Sequence, residues 1–177
     1  MKTYLTYGFY MAFGSALIVF ALYFLGFHSE AAKIDLAGKI QMGVGLAVSI
    51  TCIVVGTKER RAELSAAENF SYSSALAAGF MIVLFASLFS AVFNYLYSTV
   101  INPGFIEIML QAQSGKLEAQ GLSAEKVEQI NGFTRKMMQP AIQAGLGLLG
   151  GLFFGTLLSL ITAVFLKRTA HEELVAS

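Results

Sequence analysis

Between Lys136 and Lys167 the chain carries no charged residue, and within that stretch a small residue recurs every fourth position: Gly147, Gly151, Gly155, then Ser159 and Ala163. Hydrocarbon offers backbone amides and carbonyls no hydrogen-bonding partner, so a segment of this length and polarity is stable in lipid only as a helix. A four-residue period of small side chains lines one face of that helix and lets a neighbour approach until the backbones nearly touch. The spacing predicts a helix over 140–166 that packs on another helix through Gly147, Gly151, Gly155 and Ser159.

Three further stretches are uncharged and long: 3–27, 40–57 and 69–101. Crossing about 30 Å of hydrocarbon at 1.5 Å per residue takes about 20 apolar residues. Hydrophobic residues make up 56% of the 177 and charged ones 13%, about half the share usual in soluble domains. The expected fold is therefore an all-α integral membrane protein with four transmembrane helices, arranged as two hairpins in a single membrane domain. The spans are placed at 4–27, 40–57, 71–101 and 140–166. The first has too long an apolar core for a cleaved signal peptide and reads as a retained helix. The only cysteine, Cys52, falls in the middle of the second span, so it forms no internal disulfide and acts as a small apolar residue.

Basic residues at span ends set orientation. Lys2, Lys58, Arg60, Arg61, Lys167 and Arg168 lie on the side of the termini; Lys33, Lys39, Lys116, Lys126, Arg135 and Lys136 lie opposite. The first six sit in short segments touching the spans, whereas four of the second six belong to a long loop where the rule weakens, so both termini are expected in the cytoplasm. Lys58-Glu59-Arg60-Arg61 reads as a topology anchor. Tyr4, Tyr7, Tyr10, Tyr23, Tyr72, Tyr95 and Tyr97 stand at span ends, where amphipathic rings sit at headgroup level.

The segments 40–46 and 142–148 share five of seven residues, IQMGVGL against IQAGLGL. Each opens an inward-running span after an outward-running aromatic one. The match suggests two hairpins related about the membrane normal, with Gln41 and Gln143 at equivalent depth.

Between the third and fourth spans, 102–139 forms an outer loop. Asn102-Pro103-Gly104 starts a new helix, with Asn102 as its N-cap, because proline cannot continue the preceding one. Phe105, Ile106, Met109, Leu110, Gln113 and Leu117 recur at helical spacing, and Gly121 suits the end. Ser123 caps a second helix whose apolar face holds Val127, Ile130, Thr134 and Met137. An amphipathic helical hairpin follows, and Phe105, Met109, Leu110, Val127 and Ile130 are its candidate surface for a partner or for lipid.

Chemistry is sparse. No acidic or basic side chain lies at mid-membrane depth, where its cost would mark an ion pathway. Ser90, Asn94 and Gln143 are the candidate polar residues within the spans. His28 and His171 fall on opposite sides of the membrane, cannot share a metal, and read as solvated interfacial residues. No catalytic residues, cofactor site or metal site are expected, and no nucleic-acid partner.

Phe93-Asn94-Tyr95-Leu96-Tyr97, followed by Ile101-Asn102-Pro103-Gly104-Phe105, resembles the signature of the four-span bacterial membrane family labelled domain of unknown function 4199. Phe70-Ser71-Tyr72, Met137-Met138-Gln139-Pro140 and the glycine-rich last span ending in Lys167-Arg168 resemble other parts of it. The resemblance covers nearly the whole chain. It implies a protein of the inner membrane of Gram-negative bacteria and carries over no functional residue. Three readings follow. The first is a non-enzymatic scaffold or accessory subunit, working through the outer hairpin and the glycine-faced last helix in a homo-oligomer or with a membrane partner. The second is a small channel or carrier near Asn94 and Gln143, and the third is a lipid-interacting protein, which requires a lateral groove between spans.

Overall fold

The computed structural model describes residues 1–65 and 68–168; His171 lies outside them. Six α-helices follow in chain order: α1 (Lys2–Phe24), α2 (Ile34–Ala62), α3 (Tyr72–Leu96), α4 (Phe105–Ala119), α5 (Ala124–Met137) and α6 (Pro140–Leu166). A 3-10 turn, Ala31–Lys33, precedes α2, and a π-helical turn, Tyr97–Ile101, continues α3. Four segments are long and apolar enough to cross a membrane: Lys2–Phe24, Ala31–Ala62, Tyr72–Ile101 and Pro140–Leu166. The protein is all-α and multi-pass.

Three boundaries differ by three residues or more from those read in the sequence: the end of the first helix and both ends of the second, which runs on to Ala62. The first helix stops at Phe24 because Gly26 takes φ +78°, letting the Gly26 N–H reach the Tyr23 carbonyl and the Phe27 N–H reach the Leu22 carbonyl, both at 2.9 Å. This pair of bonds satisfies the last carbonyls of a helix and requires a left-handed residue, which glycine supplies without strain. Gly121, at φ +81°, ends α4 in the same way. The second helix begins at Ile34, before residue 40, because apolarity marks the thickness of lipid crossed and a helix runs on into water past Asp35 and Lys39.

The helices close tightly at the end that holds the N-terminus, here the basal end. Phe70, Ala75 and Ala78 form a buried cluster there with Ala163 and Leu166 of α6. Phe70 and Arg168 exchange backbone hydrogen bonds of 2.9 and 2.7 Å, joining the start of α3 to the end of α6. The basic cluster after α2 also ties helices together. Arg60 donates to the Tyr4 hydroxyl at 3.0 Å and pairs with Glu63 at 2.6 Å, and Glu63 accepts from Thr3. Tyr7 donates to Glu59 at 2.5 Å, and Arg61 reaches the Leu166 carbonyl at 3.2 Å.

The organising element is α3, not α6 as its glycine period suggested. Ala75, Ala78, Gly79, Ile82, Val83, Ala86 and Ser87 are all buried along α3. Close approaches run to every other span. A Cβ at Gly8 of α1 would stand 2.6 Å from the Phe85 Cβ, one at Gly56 of α2 would stand 2.7 Å from Ile82, and one at Gly79 would stand 2.7 Å from the Ser159 hydroxyl of α6. In the half of the bundle away from the basal end, the distal half, α1 stays packed on α3 through Phe20, Tyr23 and Tyr97, but the glycine positions of α2 and α6 lose their neighbours. Gly38, Gly43 and Gly45 of α2 and Gly145, Gly147 and Gly150 of α6 have no atom within 4 Å of where a Cβ would lie. The molecule is closed below and open above.

The outer helices pair antiparallel: Arg135 bonds Glu107 at 2.9 Å, Gln113 bonds Thr134 at 3.1 Å, and Asn131 bonds Ser114 at 2.7 Å, residue number rising on α4 as it falls on α5. Ser123 occupies the N-cap of α5 but its side chain makes no cap bond. Lys116 of α4 pairs with Asp35 of α2, pinning the pair over the distal mouth of the bundle.

Candidate functional site

The open distal half contains three adjoining cavities, and the Gln41 side chain lines all of them. Nearest the α4–α5 pair is a mouth of about 480 Å³, bounded by His28, Ile34, Lys39 and Gln41 with Phe105 and Met109 of α4. Deeper lies a groove of about 580 Å³ between α1 (Ser15, Ile18), α2 (Met42, Gly45) and α6 (Gly151, Phe154). Beside it is a chamber of about 70 Å³ that reaches α3 at Ser90 and Asn94.

The sequence builds this space from residues without bulk. Gly38, Gln41, Met42, Gly45 and Ser49 fall on one face of α2 at helical spacing and line the groove. Ser15 and Ser49 return their hydroxyls to the carbonyls of Met11 and Gly45, at 2.9 and 2.8 Å, and so are satisfied within their own helices. The side-chain amides of Gln41 and Asn94 and the hydroxyl of Ser90 have no hydrogen-bond partner among the described residues. Gln41 and Asn94 are exposed, so their amides stand free to meet a polar group that enters the cavities.

Charge at the mouth is asymmetric. Asp35 is taken by Lys116 and Glu30 by Lys33 at 2.7 Å, whereas Lys39 has no partner among the described residues. His28 is 2% exposed and does not meet solvent as its interfacial position suggested. Its Nδ1 lies 2.6 Å from the Tyr97 hydroxyl, which accepts from the Asn102 amide at 3.1 Å. With the imidazole neutral and protonated on Nε2, Nδ1 accepts from the Tyr97 hydroxyl; with Nδ1 protonated, the hydroxyl accepts instead. Burial holds the His28 pKa below its usual value. Phe105 completes the cluster, with ring centroids 4.9 Å from His28 and 5.7 Å from Tyr97. Asn102, expected to cap α4, instead secures Tyr97, and the π turn brings this about: the Asn102 N–H bonds the Tyr97 carbonyl five residues back, at 2.7 Å.

The remaining sequence candidates are placed as follows. Asn94 and Ser90 line the chamber, and Gln143 is not among the residues that line it. Gln41, marked in the sequence only as the counterpart of Gln143, holds the central position. Its signal was an amide two residues past a lysine in an otherwise apolar span. Of the glycine face, Gly155 and Ser159 are buried against Val83 and Gly79, a Cβ at Gly151 would stand 2.7 Å from the Ser87 hydroxyl, and Gly147 faces open space. Leu110 and Val127 are buried, Phe105 and Met109 turn toward the mouth, and Ile130 is half-buried. The outer pair thus buries part of its apolar face and leaves Phe133 and Met137 exposed. Glu107 and Arg135 stay exposed, and their bond holds the carboxyl below and the guanidinium above their usual pKa values. Among the described residues no group of three or more His, Cys, Asp or Glu side chains could hold a metal ion.

A family model described as "Protein of unknown function (DUF4199)" matches residues 6–168. No curated protein and no solved structure matches the chain.

Proposed function

The chain belongs to the DUF4199 family, and from that premise, which names no activity, we propose that it is a non-enzymatic membrane protein that holds a membrane lipid in the groove between α1, α2 and α6. The carrying observation is that the three cavities adjoin at Gln41, which lines each of them. The charged side chains, Asp35 and Lys39, stand at the mouth, and the groove that Ile18, Met42 and Phe154 line holds none, the same fall in charge that a lipid presents from headgroup to acyl chain. Both volumes fall within the range of about 300–1,000 Å³ typical of small-molecule sites. Binding without catalysis accords with the lining: amides, hydroxyls, glycines and apolar side chains, with the imidazole of His28 and the carboxylate of Asp35 each engaged by a protein partner. The density of Lys and Arg at the basal span ends supports a place in the bacterial inner membrane with both termini in the cytoplasm, so the mouth opens to the outer leaflet.

A substitution that fills the groove tests the proposal. A Cβ at Gly45 meets nothing within 4 Å, so Gly45→Phe places its ring in the groove without displacing the protein. Native mass spectrometry of protein released from mild detergent should show lipid retained by the wild type and lost from Gly45→Phe at unchanged melting temperature. Equal retention by the two proteins overturns the proposal, and the same spectra report any oligomer that a scaffold role would need.

A further inference from the structure

Resting on that lipid-binding reading, we infer that the mouth selects an anionic phospholipid, with the Lys39 ammonium facing the headgroup phosphate and the Gln41 amide donating just below it. Charge complementarity carries the inference. Two formally charged side chains line the mouth, Asp35 and Lys39, and the carboxylate is already neutralised by Lys116 across the α2–α4 contact. Lys39 is left as an exposed ammonium with no protein partner among the described residues, and His28 beside it is buried and neutral. The mouth therefore has one uncompensated positive charge.

Depth agrees with charge. Lys39, Gln41 and Gly45 lie on one helix, and at 1.5 Å per residue Gly45 sits about 9 Å deeper than Lys39. A phosphate at Lys39 thus leaves its acyl chain to run down an uncharged groove past Met42, Ile18 and Phe154, where the hydroxyls of Ser15 and Ser49 are satisfied within their own helices. The Gln41 amide, which has no protein partner, stands at the junction, where the glycerol ester oxygens of such a lipid would be. A zwitterionic lipid fits the same groove, but its choline brings a second cation to a site that already holds one.

The protein, reconstituted in equimolar phosphatidylglycerol and phosphatidylcholine, is released and its retained lipids are counted by native mass spectrometry. A lysine at an anionic surface supports a preference of about fivefold for phosphatidylglycerol. Lys39→Gln should bring the ratio close to one, Lys39→Arg should keep it, and Lys126→Gln, an exposed lysine on α5 outside the mouth, should leave it unchanged. Equal retention of both lipids by the wild type, a preserved preference in Lys39→Gln, or an equal loss in Lys126→Gln overturns headgroup selection while the groove reading stands. Retention of neither lipid by the wild type removes the groove reading and this inference with it.

Discussion

His28 shows how a residue at a span end changes meaning once its neighbours are known. In the sequence it follows an apolar helix and precedes Glu30, a setting in which a histidine is ordinarily solvated. In the structure it is buried, hydrogen-bonded to Tyr97, and set at a tilt against the Phe105 ring. The other charged groups at the mouth are Asp35, paired with Lys116, and Lys39. Burial lowers the pKa of His28 in the folded protein, so the unfolded chain binds the proton more readily. Its contribution to stability is complete above the unfolded value of about 6.5 and declines as pH falls below it, by up to about 1.4 kcal/mol per pH unit until the folded value is passed. The melting temperature in detergent should therefore drop between about pH 7.5 and pH 5.5, and His28→Gln should flatten that dependence. Parallel profiles for the two proteins would show that the imidazole carries no such linkage. What hid this residue from the sequence is distance along the chain: Tyr97 and Asn102 lie far beyond His28, and the π turn that aims them leaves no compositional mark.

At the scale of elements, the glycine period of α6 was legible but its use along the helix was not. Periodicity reports which side chains share a face; it does not report where along that face a neighbour diverges. Gly155 touches Val83, whereas Gly147 looks into the open distal half. Gly155→Ile should overpack the α3 contact at a cost of about 1–3 kcal/mol or more, read as a lower melting temperature or loss of folded protein. Gly147→Ala meets no atom and should be neutral or stabilising, by up to about 1 kcal/mol from helix propensity. Equal losses from both substitutions would mean that the two glycines share one interface. The outer helices carry a related lesson. Their apolar faces were visible, and the structure divides them: Leu110 and Val127 are buried, Phe105 and Met109 line the mouth, and Phe133 and Met137 stay exposed.

For the whole molecule, the N-terminus, the connection after α2 and the end of α6 gather at one end, joined by Thr3 to Glu63 and Phe70 to Arg168, and α4 and α5 lie at the other. The orientation proposed above expects a cysteine in place of Ser114 to react with a membrane-impermeant thiol reagent in outer-membrane-permeabilised cells, with Cys52 replaced by alanine. A cysteine in place of Ser65 should react only after lysis; the opposite pattern reverses the protein in the membrane. The sequence by itself determined the four spans, the helical outer loop, several helix ends and the family resemblance, because hydropathy, capping and glycine at positive φ are local quantities set by a few neighbouring residues. Only the tertiary packing makes α3 the most buried span, uses the basic cluster to fasten helices as well as to flank a span, and sets Lys39 and Asn94 in separate cavities that share Gln41. Those outcomes depend on the angle at which helices separate, which is the balance of close approaches such as Gly79 on Ser159 at one end against their absence around Gly45 and Gly147 at the other.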